Sequence, residues 1–275
     1  MGVRSVGLLH PGEMGAAVGA VLRSQGHRVV WASEGRSDET RARARAAGLE
    51  DVGSPAEVAR SEVVFSICPP HAALDVARLG LFAGIYVDAN AISPARVREV
   101  VQAAGGDAVD GGIVGSPPRE SGTTRFYLSG PNAAAVAELF AGSVLDARVV
   151  SDEIGDASAV KMAYAGWTKG TAAMLLAIRE LARVEGVEET LLAEWDLSLP
   201  ELRERHERAT RSANAKGWRW VGEMEEIAAS FEAAGLPGGF HLAAADVFRR
   251  LGGFKDGAAP PALAEVTAAL QAHTR

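Results

Sequence analysis

The amino-acid sequence predicts an α/β domain with a mostly parallel sheet, followed by an all-α domain entered through one long interdomain helix. Three observations support this. Short apolar runs alternate with helical segments through the first half of the chain. Strand-like runs cease after about Val150. One alanine-rich helical pattern then runs from Gly155 to Glu185, long enough to span about 45 Å at a rise of about 1.5 Å per residue. The change of character places the domains at residues 1–152 and 153–275.

The opening is strand, glycine turn, helix, strand. Arg4-Ser5-Val6-Gly7-Leu8-Leu9 breaks into His10-Pro11-Gly12-Glu13-Met14-Gly15, a small-residue helix follows, and Gly26-His27 precedes the next apolar run. Strands are expected at Val6–Leu9, Val29–Trp31, Val63–Ile67, Ile85–Asp88, Ala108–Val114, Phe126–Leu128 and Arg148–Val150, with helices at Gly12–Ser24, Ser37–Ala47, Ala72–Arg78, Pro94–Ala103 and Ala133–Ala141 between them. Beyond the long helix, further helices are expected around Glu188–Trp195, Pro200–Ala213, Trp218–Ala234, Phe240–Leu251 and Ala262–Ala272. Gly166 and Gly170 inside the long helix indicate close helix packing. So long a helix cannot bury its apolar faces within one small domain, which predicts a homodimer.

The turn carries the first chemical signal. A dinucleotide diphosphate needs backbone N–H donors and the positive end of a helix dipole, with no side chain in the way. Gly12 lets the backbone approach, and Gly15 lets the helix pack on the strand. His10 stands where the first glycine of a dinucleotide-binding (Rossmann) fingerprint belongs. An ordinary strand–turn–helix shares this outline, but its N-terminal position and small-residue helix favour cofactor binding. The candidate cofactor residues at the turn are His10, Pro11, Gly12, Glu13 and Met14. Ligands bind outside the carboxyl ends of such strands. That adds Cys68, Pro69, Pro70 and Asn90 for the cofactor, with Gly115 and Ser116 lining the same cleft. Cys68 itself reads as a small buried side chain.

The choice of dinucleotide lies at the end of the second strand. Arg36, helped by Ser33 or Ser37 and with Arg41 one turn on, suits the 2′-phosphate of NADP. Glu34 would serve NAD instead, by accepting from a ribose hydroxyl. The leading expectation is NADP, with NAD as the alternative.

Lys161, Tyr164 and Thr168 fall at i, i+3 and i+7 on one helix face. A lysine there can take and return the proton of a hydroxyl beside a transferring hydride. A solvated helix lysine is the plainer alternative. Trp218, Trp220 and His241 read mainly as packing residues.

Composition narrows the classes. The chain has 275 residues, 48% hydrophobic and 23% charged, with a net charge of −7. With no basic stripe, that charge argues against nucleic-acid binding. The single cysteine excludes an intrachain disulfide and a cysteine-based zinc site. No signal peptide or membrane-length apolar run is seen, so a cytoplasmic protein is expected.

Taken together, Gly7 to Gly15, Gly26-His27, Val87-Asp88-Ala89-Asn90-Ala91-Ile92-Ser93-Pro94, Asp110-Gly111-Gly112-Ile113-Val114-Gly115-Ser116 and Gly155-Asp156-Ala157-Ser158-Ala159-Val160-Lys161-Met162 resemble the β-hydroxyacid dehydrogenases, the group containing 6-phosphogluconate and 3-hydroxyisobutyrate dehydrogenases. The resemblance covers both domains and is closest to a little-characterised bacterial branch. It implies an N-terminal Rossmann domain, a dimerising helical domain, NAD(P)-dependent oxidation of a hydroxy acid, and Lys161 as acid/base. Departures are specific. Val114, Gly115 and Ser116 stand where the resemblance implies a substrate-binding Ser-Gly-Gly loop, Ala165 stands for the asparagine four residues after the lysine, and Thr168 stands for the phosphogluconate branch's glutamate. The family's later Lys–Asp pair has no clean counterpart; Glu223 to Ile227 is the nearest stretch. The loop from Asp110 to Pro117 is also similar to that of imine reductases, with Tyr164 as a proton donor one turn beyond Lys161. Three readings therefore stand: an NADP-dependent hydroxyacid-type oxidoreductase, an NADPH-dependent imine reductase, and a catalytically silent dinucleotide-binding protein.

Overall fold

The structure is a computed structural model and describes residues 4–80, 82–254 and 263–271. The chain divides into two compact units, Met1–Met162 and Ala163–Arg275.

The first unit is built on strands β1 (Ser5–Leu8), β2 (Arg28–Trp31), β3 (Glu50–Asp51), β4 (Val63–Ser66), β5 (Ile85–Asp88), β6 (Ala108–Gly115), β7 (Thr124–Ser129) and β8 (Asp146–Ser151). They form one sheet in the order β3-β2-β1-β4-β5-β6-β7-β8. All neighbours are parallel except β6 and β7, which pair antiparallel. Between them lie α1 (Glu13–Ser24), α2 (Asp38–Ala46), α3 (Pro55–Val58), α4 (Ala73–Ala77), α5 (Pro94–Ala104) and α6 (Ala133–Ala137). Each expected strand is present. β3 escapes a search for apolar runs because its two residues are exposed acids; it pairs with Val30 and Trp31, Glu50 binds Arg28, and Asp51 accepts from the Ser33 and Gly53 N–H groups. α3 is one short turn, begun by Ser54 accepting from the Glu57 N–H, with Pro55 pre-set for the first position.

Alternation along the strands builds two cores. Val63 and Phe65 enter one cluster with Leu8, Val87 and Phe126, while Val64 enters the other with Tyr86, Val97 and Val100. A sheet covered on both faces needs this continuous apolar character, and Val63–Ser66 is buried at every position. β1 lies between β2 and β4, so the chain order reverses there, and a crevice forms at the carboxyl ends of β1 and β4.

The long helix α7 (Asp156–Val184) starts against β6. The buried Asp110 carboxylate accepts from the Gly155 N–H (3.0 Å), the Ser158 N–H (2.9 Å), the Ser158 hydroxyl (2.7 Å) and the Ser129 hydroxyl (3.1 Å). A carboxylate at this helix end satisfies orphan N–H donors and complements the dipole. The division between the two units falls inside α7, after the turns fastened in this way.

The second unit comprises the rest of α7 with α8 (Glu188–Ser198), α9 (Glu201–Ala233), α10 (Gly239–Arg250) and α11 (Leu263–Gln271). Here the structure corrects one expectation: Pro200–Ala213 and Trp218–Ala234 are one continuous helix, α9. Gly217 lies between the two expected ranges, and a single interior glycine costs a helix only about 1 kcal/mol. Packing of α9 on α10 outweighs that cost, with Met224, Ile227, Ala244, Ala245 and Phe248 buried. Trp220 meets Phe248 edge-on at 5.0 Å between ring centroids.

Asp110→Ala should lower stability by about 3 kcal/mol, since it leaves several buried donors without an acceptor. Asp146→Ala, which removes an exposed ion pair with Arg148, should change it by less than about 0.5 kcal/mol. Thermal unfolding of the two variants beside the parent chain checks the contrast.

Candidate cofactor and catalytic site

The turn after β1 is closed by its own backbone. The Gly12 N–H donates to the His10 carbonyl at 2.9 Å, and α1 begins at Glu13 with Gly12 as a cap residue that offers no side-chain acceptor. The two glycines have separate tasks. A Cβ on Gly15 would lie 2.2 Å from the His10 carbonyl oxygen, so Gly15 holds the helix against the turn. A Cβ on Gly12 would meet nothing within 4 Å. The start of α1 is thus open on that side, as anion binding at a helix N-terminus requires. Pro11 is buried, Glu13 exposed, and Met14 packs against the first core cluster.

Two arginines bracket this turn. Arg36 Nη2 donates to the Leu9 carbonyl at 3.3 Å, and Arg43 Nη1 donates to the Pro11 carbonyl at 3.2 Å. Arg41 Nε in turn donates to the Arg36 carbonyl at 3.2 Å. Arg43 was not singled out in the sequence. It sits in the run Arg41-Ala42-Arg43-Ala44-Arg45, whose spacing alone does not say which guanidinium reaches the turn. The buried Arg36 Nε and His10 Nδ1 both lack a hydrogen-bond partner. Burial first, and then the Arg36 charge, push the His10 pKa down to about 4, so its ring is neutral at pH 7.

The neighbouring serines hold local structure. Ser37 caps α2, its hydroxyl accepting from the Thr40 N–H at 3.3 Å, and the Ser33 N–H donates to the Asp51 carboxylate at 3.1 Å. Glu34 is exposed.

At the ends of β4 and β5 the Asn90 side chain is a cross-link. Its Oδ1 accepts from the Cys68 N–H at 2.6 Å, and its Nδ2 donates to Asp88 Oδ2 at 2.6 Å and Ser66 Oγ at 3.2 Å. Asn90 therefore sets the course of the backbone through Cys68 toward Pro69, which is exposed, and Pro70, which begins a short 3-10 turn. The half-buried Cys68 thiol is held protonated, its pKa pushed up to about 12 chiefly by burial. Asp88 is wholly buried. Burial, together with the neighbouring Asp110 carboxylate, raises its pKa to about 7 against the hydrogen bonds from Asn90.

At the end of β6, Val114 is buried in the sheet, whereas Gly115 and Ser116 are exposed. The Thr124 hydroxyl donates to the Ser116 carbonyl and fixes the start of that loop. Lys161 lies over the middle of the same strand. A Cβ on Gly112 would come within 2.6 Å of the Ala157 carbonyl oxygen and 2.9 Å of Lys161 Cβ, so only glycine admits the helix this close. The first unit thereby gathers the glycine turn, Arg36, the Asn90 cross-link, the Gly115-Ser116 loop and Lys161. Tyr164 and Thr168 belong to the second unit; Tyr164 is exposed, and the Thr168 hydroxyl donates to the Tyr164 carbonyl at 3.2 Å. His241 is buried there, its ring 4.3 Å from that of Phe231. Among the described residues no group of three or more His, Cys, Asp or Glu side chains is placed to hold a metal ion.

The role of Asp110, which caps α7, was missed although its motif was noted. Nothing in a single aspartate before two glycines identifies the serines that will meet it across the fold.

Comparison with known proteins agrees with the fold. Residues 182–251 match a family model described as a domain of unknown function, DUF1932. The solved structure of the conserved protein MTH1747, of unknown function and similar in structure to 3-hydroxyacid dehydrogenases, is 31% identical, with a TM-score of 0.68 over 91% of this chain and 97% of that one. The Mycobacterium tuberculosis 3-hydroxyisobutyrate dehydrogenase with L-serine superposes with a TM-score of 0.71 at 18% identity, over 98% of this chain and all of that one (100%). A reductive aminase from Aspergillus terreus in complex with NADPH and ethyl-5-oxohexanoate gives 0.58 at 19% identity, over 96% and 98% of the two chains.

Gly15→Ala should cost about 2 kcal/mol of stability through the clash with the His10 carbonyl. Gly12→Ala should leave the unfolding temperature unchanged yet weaken dinucleotide binding. Thermal unfolding and a fluorescence titration with NADPH on both variants separate the two roles.

Proposed function

We propose that this chain, which belongs to the β-hydroxyacid dehydrogenase-like superfamily, is an NADP-dependent oxidoreductase acting on a hydroxyl or carbonyl group of a small molecule. The observation that carries the reading is the open N-terminus of α1 at Gly12, set at the reversal of strand order with Arg36 fixed beside it. The residues fit a dinucleotide. Gly12 leaves room for a diphosphate, the first N–H groups of α1 and its dipole favour one, and the Arg36 guanidinium suits an additional phosphate. When bound, the nicotinamide would supply or accept the hydride.

The chain's own residues would do the rest. Lys161 Nζ takes the proton of the substrate hydroxyl during oxidation and returns it during reduction. Its helix end is pinned by Asp110 and pressed onto Gly112, which fixes where the lysine stem begins. Gly115 and Ser116 offer an exposed loop for the substrate, and Asn90 keeps the β4 end in place rather than binding through its own amide. Tyr164 and Thr168, on the following turns of the same helix, position the substrate. A second reading, reduction of an imine, is favoured by the fold likeness to a reductive aminase and by Tyr164 as an alternative proton donor.

NADPH consumption against 3-oxo acids and semialdehydes, beside a panel of cyclic imines, tests the reading. Turnover on the carbonyl panel is expected, with Lys161→Ala lowering it at least about a hundredfold, the usual worth of a general acid/base, while NADPH still binds. Near-normal turnover in Lys161→Ala would contradict the assignment. Turnover on imines alone, lost in Tyr164→Phe, would favour the second reading.

A homodimer completes the proposal. Tyr164, Trp167, Met174, Ile178, Leu181 and Val184 are exposed along α7, and a cavity of about 580 Å³ between α7 and α10 is lined by Trp167, Met174 and Phe240. An apolar stripe of this length supports association with a second copy. Sedimentation should give a dimer for the parent chain and a monomer for Trp167→Glu combined with Leu181→Glu; a monomeric parent would contradict it.

A further inference from the structure

We propose that His10 and Arg36 form one clamp for the 2′-phosphate of NADP(H), so that the residue replacing the first fingerprint glycine is itself a determinant of cofactor choice. This rests on the reading of the first unit as a dinucleotide site and goes further by assigning a role to the His10 side chain.

The argument begins with the unmet hydrogen-bonding capacity. Buried polar atoms in folded proteins are nearly always paired, and an orphan marks a site for a missing partner. His10 Nδ1 and Arg36 Nε are both buried and unpartnered, and Arg36 is hydrogen-bonded to the carbonyl of Leu9, the residue before His10. A phosphate with several acceptor oxygens would satisfy both once the atoms that cover them move aside on binding. Arg36 is also poised for this work. Its Nη2 is anchored on the Leu9 carbonyl and its backbone carbonyl is held by Arg41, so the guanidinium stays at the turn. Among the described residues no ion pair joins Arg36 to a carboxylate. Arg43, on the Pro11 carbonyl, adds positive potential on the other side of the turn.

His10 contributes what glycine cannot. Its ring carries an N–H. Because the ring is neutral at pH 7, it stands next to the guanidinium without charge repulsion. With the proton on Nδ1, it donates to a phosphate oxygen alongside Arg36 Nε. A ribose hydroxyl offers fewer acceptor sites and no charge, so the pair discriminates for the phosphorylated cofactor.

Two adenosine fragments isolate this contact, because 2′,5′-ADP carries the 2′-phosphate and 5′-AMP does not. Calorimetric titration of the full chain should give tighter binding of 2′,5′-ADP by at least about tenfold, the worth of one charge-assisted hydrogen bond. His10→Gly should weaken 2′,5′-ADP about tenfold while leaving 5′-AMP within about twofold. His10→Asn, which keeps a donor and a comparable shape, should retain most of the preference and guards against a folding defect in the glycine variant. Arg36→Ala should abolish the preference. If His10→Gly weakens both fragments equally or neither, the clamp is overturned while the dinucleotide site stands. If the parent chain binds both fragments with equal affinity, the NADP assignment and the clamp fail together. If it binds neither, the dinucleotide site itself is wrong.

Discussion

The hydrogen-bonded carboxylate of Asp110 is the interaction on which the rest of the site depends. It is buried near the start of β6, yet it accepts from two backbone N–H groups at the start of α7 and from the hydroxyls of Ser129 and Ser158. Without those donors, burial of the charge would be prohibitive. With them, one side chain ties two strands to a helix end. The following glycines act with it. Gly112 admits α7 to near-contact with the strand, so Lys161 begins from a defined position over β6. A flexible lysine becomes useful as a proton carrier only when its stem starts from a fixed point.

The same economy operates at the other end of the crevice. Gly15 locks α1 against the His10 carbonyl, whereas Gly12 leaves its approach open. Asn90 uses its whole amide on Asp88, Ser66 and the Cys68 backbone, so the neighbouring strand end is rigid without any side chain reaching outward. The arginines on the turn carbonyls then supply positive charge to a surface made of backbone. The result is a cradle formed by main-chain groups and by side chains held in place by other contacts, which suits a large, multiply charged ligand.

Much of this was legible in the sequence. The apolar runs from Val6 to Leu128 predicted strands at nearly the observed limits, because a sheet covered on both faces needs apolar residues at consecutive positions. The glycine turn announced α1, and Gly155 announced the start of α7. What escaped was weak in composition or long in range. β3 is two acidic residues with no apolar signal, and the continuity of α9 through Gly217 was decided by packing on α10. At the site, single letters did not reveal that Ser37 would cap α2, that Val114 would be buried, or that Arg43 would reach Pro11. Each of these depends on where a side chain points once neighbours in the fold are in place, and residue spacing along the chain does not encode it.

The central claim is that the first unit binds a nicotinamide dinucleotide and prefers the phosphorylated form. Calorimetric titration of the full chain with NADPH and, separately, with NADH tests it most directly. The account predicts saturable binding of NADPH at one site per chain, tighter than that of NADH. Failure of both dinucleotides to bind would contradict it.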